Sequence, residues 1–139
     1  MIGIRAVHKR SKNDMFISAE TTKIKGEHCM EVFQYQGLAG RTINPALTHE
    51  QMKDHALKGM VGEIGEINSI YQKVYQGHEF DEEHVKKELG DLLWFIAEYC
   101  TGWGWNLDNI CQMNIDKLRA RFPDGFEVDK SIHRKKGDI

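Results

Sequence analysis

The sequence predicts an all-α protein, an antiparallel four-helix-bundle-like fold, on three observations. Only two prolines stand in 139 residues, so long stretches are free to be helical. Apolar residues recur at helical rather than strand spacing across 52–74 and 85–99. The segments between these stretches are short and carry glycine, with no strand–helix alternation of the kind a doubly wound sheet requires.

The first helix is expected from Glu27 to about Gln36, with Met30, Val32, Phe33 and Tyr35 as its apolar members and Gly37 and Gly40 breaking it. Asn44-Pro45 marks a turn. Thr48 followed by Gln51 fits a capping box and starts the second helix, which runs to Tyr75 or Gln76, where Gly77 stops it. Asp81 or a neighbour begins the third, which continues to Glu98–Cys100 and is ended by Gly102 and Gly104. The fourth starts near Leu107-Asp108 and ends about Arg121, ahead of Phe122-Pro123-Asp124-Gly125. Before all of these, residues 1–26 show no sustained period, although Met15-Phe16-Ile17 suits a short strand and His8-Lys9-Arg10 reads as a solvated charge run.

A chain of this length fits one domain and one site. Its formal charge of -2 offers no global positive field for a nucleic acid, so an anionic ligand must be held by local charges. No apolar run approaches the roughly 18 residues of a membrane span, and the first residues lack the apolar core of a signal peptide, which makes the cytoplasm the expected location. Cys29, Cys100 and Cys111 form no C-x-x-C pair and read as reduced thiols, with Cys100 in the core. Among the histidines, His78 and His84 are six positions apart, which does not suit a zincin face; this segment reads as a solvated loop.

The chemistry lies in two acid pairs. On the second helix Met52, Ala56, Met60, Ile67, Ile70 and Val74 share one apolar stripe; Glu63 falls in its middle and Glu66, one turn on, at its edge. On the third, Val85, Leu89, Leu92, Ile96 and Tyr99 make the apolar face, flanked by Glu88 and Asp91 at the same i, i+3 spacing. The short loop between the helices makes them antiparallel neighbours, so the pairs can face each other. Two ionised carboxylates about 4 Å apart repel by roughly 4 kcal/mol at an effective dielectric near 20. Shifted protonation, basic partners or a bound cation must compensate. An oxygen-only donor set favours a hard ion, Mg²⁺ or Mn²⁺, and because neither pair ends in His as Glu-x-x-His requires, the pattern argues against a di-iron carboxylate bundle.

The fourth helix adds Asn114, Lys117 and Arg121 along one face, while Leu107, Ile110, Met113 and Leu118 are expected to pack inward. Cations beside an acidic metal cluster suit a polyphosphate. Taken alone, basic residues at a helix C-terminus also complement its dipole.

The run GMVGEIGEINSIYQKVYQGHEF, followed by VKKELGDLLWFIAEYC and NIDKLRARFPDGF, resembles the MazG-like members of the all-α nucleoside triphosphate pyrophosphatases. The family pattern is Glu-x-x-Glu, a spacer, Glu-x-x-Asp, and a later Asn-x-x-Lys-Leu-x-x-Arg-Tyr/Phe-Pro. Glu63 and Glu66, Glu88 and Asp91, then Asn114, Lys117 and Arg121 occupy it in order. The resemblance covers about 27–126, leaving 1–26 as an N-terminal extension and 127–139 as a tail, where Ser131 and Arg134 offer a closure over phosphate but a flexible tail is the preferred reading.

The resemblance implies magnesium on the four acids, Glu63 or Glu66 handling the attacking water, and Asn114, Lys117 and Arg121 on phosphate. It further implies cleavage between the α and β phosphates to a nucleoside monophosphate and pyrophosphate, possible house-cleaning of damaged nucleotides, and a homodimer or homotetramer with pockets close to subunit interfaces. Two alternatives stay open: a dUTP-type or phosphoribosyl-ATP hydrolase of the same superfamily, and a non-catalytic helical module. The base is not legible: Trp94 reads as core, and Trp103 and Trp105 suit an interface or a lid.

Overall fold

The computed structural model describes residues 30–134. The proposed strand at Met15-Phe16-Ile17, the basic run His8-Lys9-Arg10, Cys29 and the start of the expected first helix lie outside the described residues. Among those described, every regular element is a helix: α1 Val32–Gly40, α2 His49–Tyr75, α3 Glu82–Trp103, α4 Leu107–Arg121 and α5 Val128–Ile132. None is long and apolar enough to cross a membrane.

The capping signals act where expected. Thr48 and Gln51 form the reciprocal box that starts α2. Asp81 accepts the His84 backbone N–H to start α3, and Asn106 accepts that of Asp108 to start α4. Gly104 ends α3 at φ 69°, a left-handed conformation that suits glycine, and lets the Trp105 N–H reach the Cys100 carbonyl at 2.8 Å.

Two expectations are corrected. Gly37 does not break α1, which runs through it and ends on Gly40, the second expected breaker; adding a Cβ to either would meet nothing within 4 Å, so neither serves a close approach. Residues 128–132 form a short fifth helix rather than featureless tail, and Ser131 lies within it.

The long helices α2 and α3 form the main packed pair, with α1 laid against α3 and α4 against α1. The α2–α3 register is antiparallel and can be followed in steps. Glu63 meets Glu88, Gly59 lies under Phe95, His55 bonds Glu98, and Lys53 lies against Gly102. At Gly59 an added Cβ would come within 2.2 Å of the Phe95 ring, so the helices approach as closely as they do because this residue has no side chain.

Ala39, Ala97, Cys100 and Leu107 form the buried core where α1, α3 and α4 meet, with Tyr35, Trp94, Ile96 and Ile110 packed around it. Trp94 belongs to this core as expected, and its indole N–H donates to Thr42 Oγ1 at 2.7 Å. Gln36 ties the junction together: its amide donates to the Trp105 carbonyl at 2.9 Å, and its oxygen accepts the Leu107 N–H at 2.8 Å, satisfying one of the unpaired donors at the start of α4.

Beyond that junction α4 departs from expectation. Leu107 is buried and Ile110 half-buried, but Met113 and Leu118 are exposed, because no described element covers the later turns of this helix. On α3, Leu89 is likewise on the outside.

Candidate metal centre

The four acids come from facing stretches of α2 and α3, but their environments differ. Glu88 is buried at 7% exposure, Glu63 is half-buried, and Glu66 and Asp91 are exposed. Glu88 is the hub. With Glu63 and Asp91 it offers carboxylate oxygens all within 4.8 Å of one another, and with Glu66 and His84 it offers a second such group.

The electrostatic consequence is visible at Glu63, whose carboxyl is raised above the ordinary glutamate range. Burial is the largest cause, followed by a carboxyl–carboxyl hydrogen bond with Glu88 and then by the charges of Glu66, Asp91 and Glu88. A carboxyl raised by burial and by neighbouring acids would release its proton to a cation placed among them. The donor set therefore fits a divalent ion, with Glu63, Glu88 and Asp91 as oxygen ligands and Glu66 beside them.

His84 was not legible as part of this site. It lies on the first turn of α3 rather than in a solvated loop, and its Nε2 is 2.6 Å from Glu88 Oε1. The signal in the sequence was the i, i+4 relation between His84 and Glu88, which has meaning only once the helix is known to start at Asp81. The imidazole lies in contact with the hub carboxylate, and as a nitrogen donor it suits softer divalent ions than Mg²⁺, so with a hard ion its part is to hold Glu88. On the α1 side, the Tyr35 hydroxyl donates to the Gly90 carbonyl at 3.4 Å, and its pKa is raised by burial and by the charge of Asp91.

The expected phosphate residues are not gathered onto the acids. Asn114 and Lys117 are exposed on α4, Arg121 is half-buried near the Phe122 ring, and the main packing partner of α4 is α1. Among the described residues, no ion pair or hydrogen bond joins Asn114 or Lys117 to the four acids. Trp103 and Trp105 stack on each other, with centroids 5.0 Å apart and planes 8° from parallel. The Lys53 ammonium, paired with Glu50, lies 3.7 Å from the Trp103 ring centroid. Cys100 is buried, and burial pushes its thiol up, with Cys111 a second cause; both cysteines are free thiols.

Comparison with known proteins agrees with this geometry. Residues 51–126 match the MazG nucleotide pyrophosphohydrolase domain, a span that contains all four acids and the α4 strip. The chain is also 29% identical over 85 residues to the Gene 37 protein of Mycobacterium phage L5, covering 58% of this chain and 69% of that one. No solved structure matches. With more than half of its length matched and the acid pairs facing each other across α2 and α3, the chain belongs to the MazG nucleotide pyrophosphohydrolase family.

Proposed function

We propose that this chain is a magnesium-dependent nucleoside triphosphate pyrophosphohydrolase, cleaving between the α and β phosphates to release a nucleoside monophosphate and pyrophosphate. The observation that carries the reading is the cluster of Glu63, Glu88 and Asp91, with ligand atoms within 4.8 Å of one another on two packed helices. In this reading residues 27–126 form the working domain, between an N-terminal extension and a C-terminal tail, and the protein works in the cytoplasm.

Glu63, Glu66, Glu88 and Asp91 would hold the ion, with His84 fixing the Glu88 carboxylate. Bound there, the ion supplies Lewis acidity toward phosphoryl oxygens and a lowered pKa for a coordinated water. Glu63 or Glu66 would orient an attacking water and accept its proton during in-line attack. Asn114, Lys117 and Arg121 take phosphate oxygens and offset their charge. This last assignment requires an α4 to come within reach of the acids, from this chain or from a neighbouring copy.

A homodimer or homotetramer is part of the proposal, and α2 supports it. Beside the face packed on α3, Leu57, Val61, Ile64, Tyr71 and Tyr75 are all exposed. With Asn68 they follow a four-three spacing along the helix, the pattern of a helix–helix seam with one polar position. Pyrophosphate release from a panel of ordinary, deoxy and damaged nucleoside triphosphates, with and without Mg²⁺, tests the reaction. Metal-dependent release is expected. Silence across the panel would favour a non-catalytic module, and turnover confined to dUTP or phosphoribosyl-ATP would move the chain to those branches of the superfamily.

A further inference from the structure

Toward the N-terminus of α2 from the acid cluster, the α2–α3 groove holds a second polar pair that metal binding does not use. The Glu98 side chain is 0% exposed; its Oε2 pairs with His55 Nδ1 at 2.8 Å, and its Oε1 has no hydrogen-bond partner among the described residues. A buried carboxylate oxygen left without a donor is costly, so its retention calls for a reason beyond packing.

The exposed member of the pair supplies one. His55 keeps 53% of its side chain accessible and sits against two rings, Phe95 at 5.5 Å and Trp94 at 6.4 Å between centroids. Because Nδ1 is engaged by Glu98, Nε2 is the nitrogen available to a ligand, and its orientation is set from behind by a group that cannot itself be reached.

Position connects this pair to the acids. At about 100° per residue, His55 falls within about 20° of Glu66 on α2, and Glu98 within about 20° of Asp91 on α3. At about 1.5 Å per residue, Glu98 lies about 10 Å along α3 from Asp91. Between them Phe95 covers Gly59, leaving an aromatic floor with no α2 side chain at that step.

We propose that His55, positioned by Glu98, contacts the nucleoside half of the substrate while the acid cluster holds the phosphates. His55 is a specificity-determining residue, and Glu98 is a positioning residue that acts through it. The proposal rests on the acid cluster being the phosphate end of a nucleotide site.

The test compares the full-length wild type with His55→Ala, His55→Gln and Glu98→Gln. One readout is calorimetric binding of the four ordinary nucleoside monophosphates with Mg²⁺. A second is competition by inorganic tripolyphosphate, which has no nucleoside, and a third is Mn²⁺ binding. His55→Ala should weaken binding of the preferred monophosphate, and raise KM for its triphosphate, by about tenfold or more, while tripolyphosphate and Mn²⁺ binding stay within about twofold. Glu98→Gln, which keeps an acceptor for His55, should fall between, with KM moving more than kcat.

Equal weakening of monophosphate and tripolyphosphate would assign the pair a structural role and overturn the proposal, as would unchanged monophosphate binding in both His55 variants. If the wild type binds monophosphates but releases pyrophosphate from no triphosphate, the proposed reaction fails while the binding comparison still decides the role of His55. A wild type that binds no nucleotide overturns both.

Discussion

The α2–α3 pair and α4 carry the same kind of sequence pattern, apolar residues at helical spacing with charges beside them, and they meet different fates. Between α2 and α3 the pattern closes on itself: Ala56, Ile70 and even Glu88 and Glu98 are buried, and Gly59 permits contact as close as a ring on a helix backbone. Along α4 only Leu107 is buried, and Met113 stands 71% exposed. Helical periodicity announces that a face exists; it does not say which element, or which molecule, covers it.

The sharpest way to break the contrast is at the acids. Glu63→Gln and Glu88→Gln should each lower kcat by about a thousandfold or more if the cluster does the chemistry. Both variants should remain folded by circular dichroism, since each removes a negative charge from a crowded group. Full activity in Glu63→Gln would remove the cluster from the mechanism.

Packing is the next handle. Gly59→Ala places a methyl group where the Phe95 ring already sits, and it should destabilise by about 1–3 kcal/mol in urea unfolding, even though alanine is the better helix former. Combining it with Phe95→Leu should recover part of that loss. A neutral Gly59→Ala would mean that α2 and α3 are not as close as described.

The pH response has a defined sign. The folded state holds the Glu63 proton more tightly than the unfolded chain does, because its carboxyl is raised by burial and by neighbouring acids. Without metal, this contribution to stability is fully present below the ordinary glutamate pKa and is lost as pH rises through the raised value. Mg²⁺, which needs the deprotonated form, should reverse the trend, so Tm measured against pH with and without Mg²⁺ should diverge as pH rises. Parallel curves would separate Glu63 from metal binding.

The smallest effect is expected on α4. Met113→Gln should change monomer stability by no more than about 0.5 kcal/mol, as a surface substitution does. A larger loss that grows on dilution, read by sedimentation, would show that another copy covers this face.

Much of this was legible in advance because its causes are local. The Thr48 box, the Asp81 cap, the left-handed Gly104 and the stop at Gly77 depend on residues within a turn of each other, so the bounds of α2 and α4 and the start of α3 followed from short-range rules, whereas α3 runs through Gly102 to Trp103, past its expected end at Glu98–Cys100. The pairing of Glu63 and Glu66 with Glu88 and Asp91 followed from helical spacing plus one short loop. Gly37 misled because glycine within a helix costs only about 1 kcal/mol, less than the packing of α1 on α3 and α4 returns.

By itself, then, the sequence determined an all-α chain, the starts of its long helices and the four acids in order, since each depends on periodicity and caps readable within a few residues. Only the tertiary structure decided that Glu88 is the buried hub, that His84 reaches it, that His55 meets Glu98 and that α4 leaves the acids to α2 and α3. Those outcomes depend on the register and depth at which separate helices pack, and burial belongs to the pair of surfaces rather than to either one.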